Sequence, residues 1–218
     1  MPILFIASNL IFLFLLIKAS IKGDSDQRFI LKIIVCFHYV FLAFWAISIK
    51  GIQTNQFWLI IGLVFAFLGD AALGLKHKGS WALKAGLLFF MLTQISYIVF
   101  FGITAISLSV VIPFMLVLGL VAYRLKDNKA YDFKRMGIAV LGYAGLMTLM
   151  LSGALSRMIM IGSEGSVISS IGAVCFVISD ITLMQLYFRQ SKKTGMIPVY
   201  LICYHVAQDL RALSLWYK

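Results

Sequence analysis

Two aspartates fall inside long apolar stretches of this chain, Asp70 in Gly69-Asp70-Ala71-Ala72-Leu73 and Asp180 in Ser179-Asp180-Ile181-Thr182-Leu183. An ionisable side chain within a bilayer-crossing stretch is costly, and by default it marks a functional site. Two carboxyls sharing one site can divide acid/base work, one holding a proton that the other lacks. That places a general acid beside an anion, the logic that also serves glycoside hydrolysis. The structural alternative is that each Asp only binds a neighbouring helix, but two at similar depth favour a site. Other polar groups reach the same level: Tyr143, Gln94 with Tyr97 about one turn on, His205 with Gln208 about one turn on, and His38. Gly86, Phe90, Gln94 and Tyr97 are expected on one face of their helix. For any single Tyr or His, a hydrogen bond between helices is the ordinary reading.

A metal centre is the weaker reading. Cys36-Phe37-His38 and Cys203-Tyr204-His205 share a C-x-H pattern. On a helix, residues two apart point about 200° from each other, so neither pair can chelate one ion. The chain carries no nucleophile elbow, Walker motif or HExxH. Ser179 has no base at helical spacing, since adjacent Asp180 points away from it. Two-carboxylate chemistry needs neither a metal nor an organic cofactor.

The elements that must position these groups are membrane spans. Of 218 residues, 62% are hydrophobic and 12% charged, against about 45–50% and about 25% in soluble domains. Eight apolar stretches, each close to the length that crosses a hydrocarbon core of about 30 Å, are expected at 3–19, 29–48, 56–75, 81–100, 104–123, 135–157, 164–188 and 197–216. They are continuous and lack period-2 alternation, which favours helices over a barrel. The expected architecture is all-α, a polytopic helix bundle forming one integral membrane domain over 1–218. Phe101-Gly102-Ile103 alone separates the fourth and fifth spans, and Pro113 is the one proline in a span's interior. The three cysteines lie within spans, so no disulfide framework follows. Met1 to Ser20 lacks a basic leader and reads as a retained first span.

The net charge of +11 is topological. Fifteen Lys and Arg fall in the links after spans one, three, five and seven, including Lys76, Lys78, Lys134, Arg135, Lys192 and Lys193. Four fall on the other side: Lys50, Arg157, Arg211 and Lys218. The positive-inside rule then puts both termini outside the cytoplasm. Without a basic helix face or folded basic module, nucleic-acid binding is set aside. Asp70 lies roughly 7–8 Å from the cytoplasmic end of its span and Asp180 roughly 12 Å, at 1.5 Å per residue. Lys32 and Lys84 are expected to snorkel from helix ends, and Arg211 to turn outward. Asp209 has no evident role, and two residues apart it cannot pair with Arg211 on one face. A small residue, Asp, two residues and Leu recurs four spans on. A Gln follows one span later each time (Gln94, Gln208), a pattern that would fit a parallel repeat.

Gly69-Asp70-Ala71-Ala72-Leu73 with Gly86, Phe90 and Tyr97 resembles the first signature of the YhhN-like membrane family, which includes the lysoplasmalogenases. Gly172 to Phe176 through Ser179-Asp180 resembles the second, and Tyr143 with Met147, and Tyr204 to Gln208, resemble two further positions. The resemblance implies hydrolysis of the vinyl ether bond of a lysoplasmalogen to a fatty aldehyde and a glycerophospho-ethanolamine or -choline. It also implies that the two Asp motifs carry this chemistry. Tyr143, Gln94, Tyr97, His205 and Gln208, at the same level, are expected to bind the substrate beside them. Gln94 stands where family members often have His. The implied partners are an alkenyl lysophospholipid and the bilayer. Short loops point to a bacterial inner membrane. The rival classes are a proton-coupled carrier and a non-catalytic lipid-binding subunit.

Overall fold

The computed structural model describes residues 2–75, 79–126, 128–133, 136–191 and 194–217. Eight helices account for nearly all of them: α1 Pro2–Lys22, α2 Ser25–Lys50, α3 Gln56–Gly74, α4 Ser80–Phe101, α5 Ala105–Lys126, α6 Gly137–Ile161, α7 Glu164–Phe188 and α8 Met196–Ser214. Among the described residues there is no strand, only an isolated bridge between Tyr131 and Arg189. Each expected span has its helix. Lys76, Lys78, Lys134, Arg135, Lys192, Lys193 and Lys218 lie outside the described residues.

Helix ends follow local chemistry. The Asp24 side chain accepts the Gln27 N–H at 3.0 Å and starts α2 four residues before the apolar run, an N-cap. The break between α4 and α5 is set by Gly102. Its φ of 78° suits a residue without Cβ, and its N–H closes on the Ile98 carbonyl at 2.9 Å.

Six helices, α1 to α4 with α6 and α7, are long and apolar enough to cross a membrane. This is the architecture of a multi-pass membrane protein. In α5 the apolar segment is shorter, Ala105–Val121. α8 is too polar to stand with the six, because it carries Tyr204, His205, Gln208, Asp209 and Arg211, all buried. It packs against α7, α2, α1 and α3, so its polar stripe faces protein and not lipid. α5 packs on α6, and Pro113 lies in it, away from the two aspartates.

Two antiparallel hairpins dominate the packing, α3–α4 and α7–α8. In the first, a Cβ on Gly62 would strike the Tyr97 ring and one on Gly69 would meet the Phe90 ring at 3.1 Å. In the second, a Cβ on Gly165 would meet the Ser214 carbonyl at 2.9 Å and one on Gly172 the Ala207 carbonyl at 2.9 Å. Seven residues further, the Ser179 hydroxyl donates to the Tyr200 carbonyl at 3.1 Å. Small residues every seventh position thus let both hairpins close. The sequence repeat is in register for α3 and α7, where Gly62, Gly69 and Asp70 correspond to Gly172, Ser179 and Asp180. By the same ladder Gln94 and Gln208 sit one turn out of register.

Candidate active site

Asp70 sits one turn from the end of α3, where α2 brings two groups to its carboxylate. Lys32 Nζ lies 2.6 Å from Oδ1 and Cys36 Sγ donates to Oδ2 at 3.2 Å. Lys32 and Cys36 are four residues apart and so share a helix face. Lys32 is 9% exposed. It does not snorkel as expected but turns inward, because a carboxylate in an apolar bundle offers it more than the bilayer edge does. Lys84, by contrast, is exposed.

Asp180 has different company. Tyr143 from α6 donates its phenolic proton to Oδ2. Gln94 Nε2 from α4 in turn donates to the Tyr143 oxygen at 3.2 Å. Among the described residues no cation stands within ion-pair distance of Asp180. Ser179 looks away, toward Tyr200, as the helix geometry requires.

The two aspartates line one cavity of about 20 Å³, walled by Lys32, Phe90, Tyr187, Tyr200 and Tyr204 among others. That is room for about one water, which needs roughly 10–15 Å³ by this measure. The two carboxyls therefore border the same space. Asp70 and Asp180 make no hydrogen bond to each other, so each is tuned by its own partners.

The other expected site residues divide. Gln94 and Tyr143 join Asp180. Tyr97 and Gln208 form a second cluster further along the bundle, and His205 joins neither. Tyr97 donates to Gln208 Oε1 at 2.8 Å, and Arg211 Nη1 donates to the same oxygen at 3.4 Å. The Arg211 guanidinium sits 4.2 Å from the centroid of the Tyr97 ring and 4.7 Å from that of Phe176. Arg211 is 0% exposed and does not turn outward, because two aromatic faces attract the buried cation. His205 is fully buried, edge-on to Tyr204, and neither ring nitrogen has a hydrogen-bond partner among the described residues. The expected single face of α4 is also split: Gly86, Phe90 and Tyr97 meet α3, while Gln94 reaches across to α6.

Asp209 gains an account. Asn9 Nδ2 of α1 donates to both its oxygens, at 2.9 and 3.2 Å, which ties α1 to α8. The C-x-H pairs behave as helix geometry demands. Cys36 faces Asp70, whereas His38 bonds the Ile34 carbonyl at 2.8 Å and lies tilted against the Phe5 ring.

Sequence reasoning missed Lys32 and Cys36 as partners of Asp70. The available signal was a lone cation four residues inside a span, the natural counterpart of a lone acid.

A family model described as the YhhN family matches residues 27–215, most of the chain. No curated protein and no solved structure matches. The matched segment contains every residue that lines the cavity, from Lys32 to Tyr204, together with Tyr143 of α6. The chain belongs to the YhhN family.

Proposed function

We propose that this protein hydrolyses the vinyl ether bond of a lysoplasmalogen, releasing a fatty aldehyde and a glycerophospho-ethanolamine or -choline. The carrying observation is two buried carboxyls in unlike surroundings on one water-sized cavity. Asp70, with Lys32 as counter-ion, is the ionised member. Asp180 faces a neutral phenol and is the member that holds a proton, since an unpaired charge is costly inside the bundle.

The steps follow from that asymmetry. The lysolipid enters sideways, its tail among the apolar helices and its head group toward the basic loops. Asp180 gives its proton to the β-carbon of the enol ether, and the α-carbon becomes an oxocarbenium centre. The Asp70 carboxylate stabilises this cation and takes a proton from the water that attacks it. In the resulting hemiacetal the carbon–oxygen bond to glycerol breaks. Asp70 returns its proton to the leaving glycerol oxygen, and the hemiacetal hydroxyl proton goes back to Asp180, so the net addition is one water. Tyr143 and Gln94 hold the Asp180 carboxyl in place. In this reading all eight helices cross a bacterial inner membrane with both termini outside the cytoplasm, as the charge asymmetry supports.

The test is aldehyde release by purified protein from an alkenyl lysophospholipid, beside its saturated ether and its ester counterparts. Turnover of the alkenyl lipid alone supports the reading. Turnover of the ester without the alkenyl lipid contradicts it, because ester cleavage needs no carbon protonation.

A second reading, a proton-coupled carrier, has one observation in its favour. His205, Gln208 and Arg211 form a fully buried stripe along α8 with several polar atoms lacking partners among the described residues. Solute or proton flux across protein-containing liposomes without aldehyde would support it.

A further inference from the structure

The end of the bundle away from Asp70 and Asp180 holds a second, larger cavity of about 520 Å³. It lies where the ends of six helices, α2, α3, α4, α6, α7 and α8, meet, and its size falls in the usual range of about 300–1,000 Å³ for small-molecule sites. Lys50 and Arg157 line it, and no Asp or Glu does. Arg157 is held in place, with Nη1 donating to the Phe100 carbonyl at 3.1 Å and the guanidinium 4.8 Å from the Phe100 ring centroid. Neither cation has an acidic partner within ion-pair distance among the described residues.

The remaining wall is amphipathic. Ser166, Ser169 and Ser214 each donate their hydroxyl proton to a carbonyl of their own chain, of Ser163, Ser166 and Arg211 respectively. Their oxygens therefore remain as acceptors for a hydroxyl or ammonium group. Trp216, also in the wall, has a buried indole N–H with no partner among the described residues. Two free cations beside acceptors and apolar rings suit a phosphate ester bearing hydroxyl or amine groups.

We infer that this cavity is a second binding site, for the phosphate of a polar head group, separate from the aspartate cavity. Ser214 and Tyr200 are fourteen residues apart on α8, about 20 Å at 1.5 Å per residue. In a lysoplasmalogen only the glycerol carbons separate phosphate from vinyl ether. A head group in the far cavity would leave the vinyl ether out of reach of the aspartates, so one molecule cannot use both. The inference does not depend on the reaction proposed above.

The experiment measures binding calorimetrically to the full-length protein in a non-ionic sugar detergent. The probes are lysophosphatidylethanolamine, glycerophosphoethanolamine, inorganic phosphate and a phosphate-free monoacylglycerol. The lysophospholipid or the free phosphate compounds should bind, and Lys50→Gln with Arg157→Gln should weaken that binding tenfold or more, as expected for a lost charge-assisted contact. Lys50→Gln alone, at an exposed position, should weaken it in the same direction should the double variant fold poorly. Asp70→Asn with Asp180→Asn should leave it unchanged, which separates this site from the reaction. Tight lysolipid binding with no competition by the soluble compounds assigns the phosphate to a lipid, and full competition assigns it to a soluble ester; either supports the site. Unchanged affinity in the Lys50 and Arg157 variants, or monoacylglycerol binding as tightly as its phosphate-bearing counterpart, overturns it.

Discussion

At Asp70 the carboxylate is one half of an ion pair buried on both sides. Removing one partner of such a pair leaves an uncompensated charge, at a cost of about 3–5 kcal/mol. Lys32→Met is therefore expected to lower the thermal midpoint in detergent sharply, and adding Asp70→Asn should recover part of the loss. A Lys32→Met protein as stable as wild type would show that the pair carries no structural weight. Tyr143→Phe keeps the ring but removes the donor to Asp180. Catalysis should fall by up to about tenfold, since one hydrogen bond between neutral groups is worth about 0.5–1.5 kcal/mol, with folding retained. The same residues show what the sequence could and could not tell. Both aspartates were legible because an acid in an apolar run has no cheap explanation. Lys32 was not, because four residues from a span's start a lysine looks able to reach water. Arg211 was misread for the same reason, since only the fold brings Tyr97 and Phe176 against it.

The eight helices were readable to within a few residues because each follows a long apolar run. Their polar ends were trimmed. α2 starts at Ser25, ahead of the expected 29, because Asp24 caps it. Which helices touch was not readable, since that depends on small residues whose spacing gains meaning only against a partner. Gly172 shows the point: a Cβ there would stand 2.9 Å from the Ala207 carbonyl of α8, a backbone atom that cannot turn aside. Gly172→Ala should cost about 1–3 kcal/mol, the range for overpacking. Gly119 of α5 has nothing within 4 Å, so Gly119→Ala should be neutral or stabilising by up to about 1 kcal/mol. Thermal midpoints of the two variants side by side test whether α7 and α8 close as tightly as described.

For the whole molecule, the charge asymmetry survives the two corrections. With Lys32 and Arg211 both buried, fourteen basic residues remain on one side and three on the other. A reporter that is active only outside the cytoplasm, fused at the C-terminus, should be active, and one that fluoresces only in the cytoplasm should be dark; the opposite pattern would invert the topology. The polar groups then form a graded interior. A carboxyl pair lies on a water-sized cavity at one end, an aromatic-held arginine in the middle, and a cationic cavity at the other end. Asp70 and Asp180 are proposed to act together on one bond. The most direct measurement of this is aldehyde release from an alkenyl lysophospholipid by wild type, Asp70→Asn and Asp180→Asn, each shown to be folded. Each substitution should lower the rate by about 10²–10⁴-fold, as expected for a lost acid or base, and the double variant should be little worse than the poorer single one. Release at wild-type rates by both single variants would contradict the account.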